Sequence, residues 1–287
     1  MSADGQYLPT IVSSLLRVKL NSNSSVRVAH SRSAISDLRL QLTIVKLNLN
    51  KLSALNSDKP VNRLLAALPA EEYQRLIPDL QPVELPQYKI LYNAGEDYKY
   101  AYFPSHSIVS TIAIMENGAT IEIGVIGNEG MVGLPIVLDT SYTTSTAIVQ
   151  VGNGGYRISA QRLQQELNRQ GELRRLMMRY VQARIIQLGQ TAACNRYHNV
   201  EQRFARWLLT VRDSIQRNEF LLTQEFISQM LGVRRTGVSE IAAKFQDEGI
   251  IQYRRGFIRI VSNQKLEAYA CECYRLIARE FTRLLSF

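Results

Sequence analysis

The segment from Leu222 to Ile260 places the tightest constraint on the fold, because it predicts two short helices joined by a tight turn. Thr223 is a favourable N-cap for the first helix, and Glu225 places an acidic side chain in its first turn. Gly232 supplies the turn, since glycine adopts left-handed backbone angles without steric cost. The second helix ends at Gly249. The pattern predicts a helix-turn-helix.

Two short β-type segments follow this helix pair. Ile250–Tyr253 and Phe257–Ile260 flank Arg254-Arg255-Gly256, and a glycine between two such segments predicts a hairpin. A further helix is predicted over Val200–Gln216. Helix, turn, helix and hairpin in this order predict a winged helix-turn-helix, which is a DNA-reading domain.

The composition agrees with a polyanionic partner. The chain has 34 Lys and Arg against 25 Asp and Glu, a formal net charge of +9, and a basic surface favours nucleic acid without proving it. No apolar run approaches the roughly 18 residues that span a bilayer, and Met1-Ser2-Ala3-Asp4 lacks the basic start of a signal peptide. We therefore expect a cytoplasmic protein with no membrane partner.

The first 58 residues differ from the rest and are predicted to be an N-terminal extension. Asn21–Ser25 and Ser31–Ser33 are polar, and Asn56–Pro60 resembles a boundary. The leucine-rich stretch Leu38–Leu55 is open to three interpretations, namely a short helix, a docked strand or disorder. A further interpretation places the natural start downstream at a codon other than Met, since the next methionine is Met115.

From residue 59 to residue 170 the pattern predicts an antiparallel β-roll. Helical patterns over Asn62–Leu68 and Ala70–Ile77 come first, and Ala160–Asn168 closes the segment as a small helix. Asn117-Gly118 between two apolar runs is a strong hairpin signal, and Gly152–Gly155 is predicted to be another break. Many short strands at even spacing are typical of a roll or barrel. The predicted strands are Val83–Leu85, Lys89–Tyr92, Tyr98–Phe103, Ser107–Met115, Thr120–Ile126, Ser145–Val151 and Tyr156–Ile158.

A long helix is predicted from Glu172 to about Cys194, within a segment spanning residues 171–196. It is apolar on two faces, of which one includes Val181, Ile185 and Ala192, so it needs two partners. One face is expected to cover the roll and the other to pair with a second subunit in coiled-coil manner. An ordinary buried helix is the alternative. We predict a dimer, because helix-turn-helix proteins usually contact paired half-sites. The predicted dimer-interface residues are Leu173, Met177, Tyr180, Leu188 and Thr191.

The tail, residues 263–287, has an amphipathic pattern that predicts one C-terminal helix. Cys271-Glu272-Cys273 falls on that helix, where residues i and i+2 do not share a face. We therefore interpret the two cysteines as packing residues. Three cysteines in the chain are too few and too scattered for a disulfide framework, and His30, His106 and His198 show no obvious ligand pattern. We predict no metal site.

A roll, a long helix and a winged helix-turn-helix, in this order, resemble the cAMP receptor protein/Fnr (Crp/Fnr) family of bacterial transcription regulators. The resemblance covers roughly residues 62–262 and implies an α+β fold. Its parts are a cyclic-nucleotide-binding-like jelly roll (59–170), a dimerisation helix (171–196) and a winged helix-turn-helix (197–262). It also implies a homodimer on double-stranded DNA, with RNA polymerase as a further partner. The motifs that carry it are Ile90–Glu96, Gly127–Gly133, Leu222–Glu225 and Gly232–Ser239.

The chain departs from the family members that bind cyclic nucleotides. Those members hold the ribose with Gly-Glu and the cyclic phosphate with an arginine. Here Leu134 and Pro135 follow Gly133, and neither Arg nor Lys occurs between Asn128 and Gln150. A phosphate in a dry pocket needs a positive partner or several aligned amides, so we do not expect cAMP or cGMP in the usual mode. Iron–sulfur members usually use four cysteines, more than this chain has. We predict no cofactor and leave a small-molecule effector open.

The resemblance assigns base contacts to four residues at the start of the second helix. Arg235 matches bidentate recognition of guanine, Thr236 can contact a thymine methyl group, and Glu240 can accept from cytosine or orient Arg235. The best-known family member has Arg-Glu-Arg at these three positions, so its operator is not transferred. Ser239 is the fourth base-contacting position. The predicted phosphate contacts are Arg234, Lys244, Arg254 and Arg255, although Arg254 and Arg255 also suit a solvated hairpin tip.

The sequence shows no Gly-rich phosphate loop, metal-ligand cluster or nucleophile motif. Glu96, Glu122 and Glu129 are single acids and are interpreted as structural. We therefore predict no catalytic residues and no enzymatic activity. The leading hypothesis is a sequence-specific transcriptional regulator. The alternative is a ligand- or partner-binding regulatory module whose DNA-binding head is vestigial.

Overall fold

The computed structural model describes residues 60–140 and 142–286. The predictions for residues 1–58, including those for 38–55 and for the start of the chain, lie outside the described residues. The helices are α1 (Arg63–Ala66), α2 (Ala70–Leu76), α3 (Leu134–Val137), α4 (Ala160–Leu167), α5 (Glu172–Tyr197), α6 (Val200–Ile215), α7 (Gln224–Leu231), α8 (Arg235–Asp247), α9 (Asn263–Tyr269) and α10 (Cys273–Leu285). The strands are β1 (Gln81–Leu85), β2 (Ile90–Tyr92), β3 (Tyr100–Pro104), β4 (Ile108–Ile114), β5 (Thr120–Ile126), β6 (Thr146–Val151), β7 (Asn153–Ser159), β8 (Glu219–Leu221), β9 (Ile251–Arg254) and β10 (Phe257–Ile260).

The first seven strands form the predicted antiparallel roll from two sheets. One sheet has the order β1-β7-β3 and the other the order β2-β6-β4-β5. The expected turn at Asn117-Gly118 joins β4 to β5, and Gly118 has a φ of +80°. Three tyrosines pack together in the roll core, since the ring of Tyr92 lies 4.1 Å from that of Tyr98 and 5.7 Å from that of Tyr102. Aromatic side chains therefore fill part of the interior of the roll.

The predicted break at Gly152–Gly155 is shorter than expected, because only Gly152 lies between β6 and β7. Strand β7 begins at Asn153 and pairs with β1 on one edge and β3 on the other. A Cβ atom on Gly155 would lie 2.4 Å from the carbonyl oxygen of Phe103. Glycine within a strand often marks such a close approach of two backbones. Gly154 and Gly155 are therefore strand residues, and the pattern resembled a longer loop because glycine is also common in turns.

The long helix α5 covers the roll with the face that we had assigned to the dimer. Leu173, Met177 and Tyr180 are buried in the core of the roll. The Tyr180 hydroxyl donates to the carbonyl oxygen of Met131 (2.9 Å) and accepts from its amide (3.0 Å). Thr191 is also buried within the same chain. The assignment of these four residues to the dimer interface is therefore corrected, because their side chains are already covered.

The opposite face of α5 carries exposed apolar side chains. Met178 is 44% exposed, Ile185 is 57% exposed, and Leu188 and Ala192 extend the same face. The positions 178, 185 and 192 are seven residues apart, as in the heptad of a coiled coil. We call Met178, Ile185, Leu188 and Ala192 the exposed stripe. Of the predicted interface residues, only Leu188 lies on it.

The C-terminal region differs from the prediction in two ways. Strand β8 was not predicted, and it pairs with β10 to make the wing a three-stranded sheet of order β8-β10-β9. The tail also contains two helices in place of the single one predicted over 263–287. Ala270 has extended backbone angles (φ −69°, ψ 141°), which end α9 before α10 begins at Cys273. Among the helices of the described residues, none is long and apolar enough to cross a membrane.

Candidate nucleic-acid interface

The helix pair α7 and α8 has the local structure that the sequence predicts. The Thr223 hydroxyl accepts a hydrogen bond from the amide of Phe226 (3.2 Å), which caps α7. Gly232 ends α7 with a φ of +64°, a left-handed conformation that glycine adopts easily. The inner face of α8 is buried through Val238 and Phe245. This packing fixes which side of α8 faces solvent.

The beginning of α8 presents most of the predicted base-contacting residues to solvent. Arg235, Thr236 and Glu240 are exposed. Ser239 is half-buried instead, and its hydroxyl lies 2.7 Å from the side-chain oxygen of Gln224 and 3.1 Å from the carbonyl oxygen of Arg235. Ser239 therefore connects α8 to α7 in this structure, and the three exposed side chains form the reading edge.

The wing carries two of the predicted phosphate contacts at its tip. Arg254 and Arg255 are exposed. The loop between β9 and β10 consists of Arg255 and Gly256, whose φ values of +52° and +81° are those of a type I′ hairpin turn. The Tyr253 hydroxyl donates to the carbonyl oxygen of Leu222 (2.8 Å) and connects the wing to the start of α7. Burial raises the pKa of Tyr253 to about 12, so this donor stays protonated.

Lys244 is engaged within the chain, which the sequence did not indicate. Its ammonium group lies 3.0 Å from both carboxylate oxygens of Glu201 and 5.1 Å from the centre of the Tyr269 ring. The hydrogen bond to Glu201 raises the pKa of Lys244. By contrast, Arg234 is exposed at the N-cap of α8. Arg234 and the wing arginines therefore fit a phosphate-binding role better than Lys244 does.

The DNA-binding region is attached to the roll through a shared core. Ile108, Ile112 and Val125 of the roll pack in one hydrophobic cluster with the helices and wing of the C-terminal region. Glu122, on β5, is buried beside this contact. Its carboxylate accepts hydrogen bonds from the Ser110 hydroxyl (2.7 Å) and from the indole nitrogen of Trp207 on α6 (3.2 Å). Glu122 has structural hydrogen bonds, in agreement with the interpretation from the sequence. Nothing in the sequence indicated that it lies between the roll and the DNA-binding region.

Burial raises the pKa of Glu122 to about 7. The Ser110 and Trp207 hydrogen bonds oppose this shift, as do the positive charges of Arg206 and Arg184. The pKa of Glu122 in the folded protein thus lies above the ordinary glutamate value of 4.5. The folded state then binds more protons than the unfolded state between these two values, so the stability contributed by Glu122 is lost as pH rises toward 7.

Glu122→Gln is expected to flatten this pH dependence. Glutamine can accept from Trp207 and donate to Ser110, but it does not ionise. The unsubstituted protein should lose about 2–3 kcal/mol of unfolding free energy through Glu122 when the pH is raised from 5 to 8, and the variant should not show this loss. Urea unfolding at both pH values measures the difference. Glu116→Gln, at an exposed position in the β4–β5 turn, is the control. Equal changes in both variants would contradict the assignment.

Comparison with known proteins supports the helix-turn-helix domain and the order of roll, long helix and DNA-binding region described above. The family model described as the Crp-like helix-turn-helix domain matches residues 202–269. No curated protein matches the sequence at a significant level. Several solved structures share the fold at low sequence identity.

Three of these structures illustrate the likeness. FixK2 from Bradyrhizobium japonicum is 13% identical with a TM-score of 0.57, and the match covers 67% of this chain and 98% of that one. The regulator CLP of Xanthomonas campestris, described as c-di-GMP responsive, is 15% identical with a TM-score of 0.54, covering 68% and 100%. A CRP-family transcriptional regulator from Thermus thermophilus is 16% identical with a TM-score of 0.54, covering 66% and 96%.

The family model and the fold agree with each other and with the geometry of the interface. The model's match spans α7, the turn, α8 and the wing. The roll and the long helix that precede this match have the arrangement of the Crp/Fnr structures. Residues 202–269 therefore form a Crp-like helix-turn-helix domain, and the described part of the chain has the fold of the solved Crp/Fnr-type regulators.

Proposed function

We propose that the protein binds specific sequences in double-stranded DNA as a homodimer and regulates transcription there. The observation that carries this proposal is the exposed reading edge of α8, formed by Arg235, Thr236 and Glu240. Arginine pairs with guanine through two parallel hydrogen bonds, the commonest specific contact in the major groove. The arginines Arg254 and Arg255 on the wing supply positive charge for the phosphates.

The exposed stripe on α5 supports the homodimer. Its members are apolar and recur at coiled-coil spacing, whereas the other face of the same helix is occupied by the roll. Two copies joined along this stripe would present two α8 helices to two half-sites. We propose RNA polymerase as a further partner, and the cytoplasm as the location, because the family resemblance and the DNA partner both imply them.

The roll is proposed to respond to an effector other than cAMP or cGMP bound in the usual mode. Gly133 caps the short helix α3 with a φ of +110°, and Leu134 and Pro135 form its first turn. These apolar residues stand where cyclic-nucleotide-binding members place the ribose-binding glutamate. No arginine or lysine occurs between Asn128 and Gln150 to neutralise a phosphate. A small molecule of different chemistry, or no effector at all, agrees with this sequence.

Arg235→Ala and Arg254→Ala are expected to weaken DNA binding in different ways. The first variant should lose discrimination at one base pair by about 1–3 kcal/mol, because a base contact is removed. The second should weaken binding to all DNA and lower the slope of log K against log salt by about 1, because a phosphate contact is removed. Genome-wide mapping of bound DNA supplies the target sequence, and gel shifts at several salt concentrations measure both effects.

Lys244→Ala is the matched control, since Glu201 already holds this ammonium group. We expect Lys244→Ala to change base-pair discrimination less than Arg235→Ala does. It should also change the slope of log K against log salt less than Arg254→Ala does. Equal losses on specific and random DNA for Arg235→Ala would remove the base-contacting role. Absence of any bound genomic sequence would instead favour a regulatory module with a vestigial DNA-binding head.

A further inference from the structure

Three cysteines and one histidine from separate parts of the chain meet at the end of the long helix. Cys194 lies in the last turns of α5, and His198 is its C-cap. Cys271 precedes α10, and Cys273 is the first residue of that helix. Their three sulfurs and one ring nitrogen lie within 4.8 Å of one another, and all three cysteines are buried. The prediction that Cys271 and Cys273 lie on one helix is wrong, because the helix begins at Cys273, although both side chains are buried as expected of packing residues.

The spacing of these atoms matches the corners of a tetrahedral zinc site. Zinc binds thiolates at about 2.3 Å and imidazole at about 2.0–2.1 Å, so neighbouring ligand atoms lie about 3.6–3.8 Å apart. The sulfurs of Cys194 and Cys271 are 3.6 Å apart. The sulfur of Cys273 lies 3.5 Å from Nδ1 of His198. Four ligands of the Cys₃His type are one of the usual sets for structural zinc.

Two other uses of the cysteines fit the geometry less well. A disulfide between Cys194 and Cys271 requires a sulfur–sulfur bond of about 2.0 Å, and it would leave Cys273 and His198 without a role. An iron–sulfur cluster distributes its ligands over several iron atoms. Here all four ligand atoms converge within 4.8 Å, which suits a single ion.

The surroundings of the cluster also match a metal site. Nε2 of His198, on the far side of the ring from Cys273, lies 3.2 Å from the carboxylate of Glu272. A carboxylate on the outer nitrogen is the usual support for a metal-bound histidine, since it fixes the tautomer and the ring orientation. The side-chain amide of Gln190 donates to the sulfur of Cys273 (3.1 Å), which favours a thiolate.

The charges near the cluster agree with the same interpretation. Arg203 and Arg206 on α6 are buried, and their charges interact with Cys194. Within the described residues, Nε of each arginine has no hydrogen-bond partner. Buried positive charges need nearby negative charge. Three thiolates, a neutral imidazole and one Zn²⁺ carry a net charge of −1, which partly balances the two arginines.

We propose that Cys194, His198, Cys271 and Cys273 bind one Zn²⁺ ion per chain. The ion would join the end of α5 to the start of α10, directly before α6 begins the DNA-binding region. Metal binding would therefore stabilise the contact between the α5–α6 junction and the start of α10, which is more than 70 residues away in sequence. This proposal does not depend on which DNA the protein binds.

Elemental analysis of the full-length protein tests the proposal directly. We expect one zinc per chain in protein purified under reducing conditions without chelator. Cys271→Ser and Cys273→Ser should each lose the metal. Glu272→Gln should retain a site with an affinity lowered about 10- to 100-fold, because only the support of His198 is removed. His106→Ala, outside the cluster, should bind zinc normally and serves as the matched control.

Reconstitution of the unsubstituted protein covers the case in which the cysteine variants do not fold. Zinc is removed with a chelator, and Co²⁺ is added to the reduced protein as a spectroscopic probe. A tetrahedral thiolate site should give cobalt–thiolate absorption at one equivalent per chain, and Zn²⁺ should abolish it. Reduced protein that binds neither ion would overturn the proposal. So would iron with labile sulfide at this site, or a Cys194–Cys271 disulfide in protein kept under reducing conditions.

Discussion

Replacing Ile185 with glutamate is expected to convert the proposed dimer into a monomer and to abolish tight binding to a two-fold DNA site. Ile185 is 57% exposed in the single chain and lies at the centre of the exposed stripe. In a symmetric pair of helices the two glutamates would lie close together in an apolar seam, where unpaired charges are costly. Loss of the second half-site should lower the affinity for DNA by about 10²–10⁴-fold.

Light scattering and gel shifts on a two-fold site measure the two parts of this prediction. Gln74→Glu introduces the same charge at an exposed position on α2, and we expect it to leave both properties unchanged. Circular dichroism should show that Ile185→Glu remains folded, since the side chain is not part of the core. A dimer of unchanged mass would show that subunits associate through a different surface, or that the stripe has another occupant.

Tyr180→Ala is expected to destabilise the fold of each chain by about 3–5 kcal/mol, the usual cost of removing a large buried aromatic side chain. The Tyr180 side chain is fully buried in the roll core, and its ring packs 6.5 Å from that of Phe281. Its hydroxyl also holds both backbone groups of Met131. Removal would leave a cavity beneath α5 and two buried backbone groups without their partner.

Tyr180→Phe separates the two contributions. It keeps most of the ring contacts and leaves the Met131 amide and carbonyl without the hydroxyl, so we expect a loss of about 1–3 kcal/mol. Denaturant unfolding at two protein concentrations measures both variants. The differences should persist at both concentrations, because the contacts lie within one chain. A destabilisation that disappeared on dilution would instead place Tyr180 between subunits.

The helix-turn-helix could be predicted from the sequence because its signals are local. Thr223 caps a helix and Gly232 makes a turn through properties of a few neighbouring residues, and the structure has both. The hairpin at Asn117-Gly118 was predictable for the same reason. Strand β8 was not, since three residues carry too little pattern and their pairing depends on β10, which lies far along the chain.

The two faces of α5 show what periodicity leaves open. The pattern correctly indicated that the helix is apolar on two sides, but it held no information about which side meets the roll. Tyr180 packs against the roll, where its hydroxyl forms a hydrogen bond with Met131. The two residues are 49 positions apart in the sequence, so no local pattern predicts this contact. The contact between the sulfurs of Cys194 and Cys271 was not predicted, for the same reason. The two cysteines are 77 residues apart, and an assumed continuous helix separated Cys271 from Cys273.

The contribution of β4 and β5 to the C-terminal core limits how the two regions of this chain can be recombined with other proteins. Ile108, Ile112 and Val125 complete the packing around α6, and Glu122 bonds to Trp207 at the same place. The DNA-binding region is therefore not an interchangeable module. A chimaera that joined it to an unrelated roll would expose this apolar surface and leave the Trp207 indole without its acceptor. Each region supplies part of the other's interior, so a substitution on one side of this contact must fit the side chains on the other.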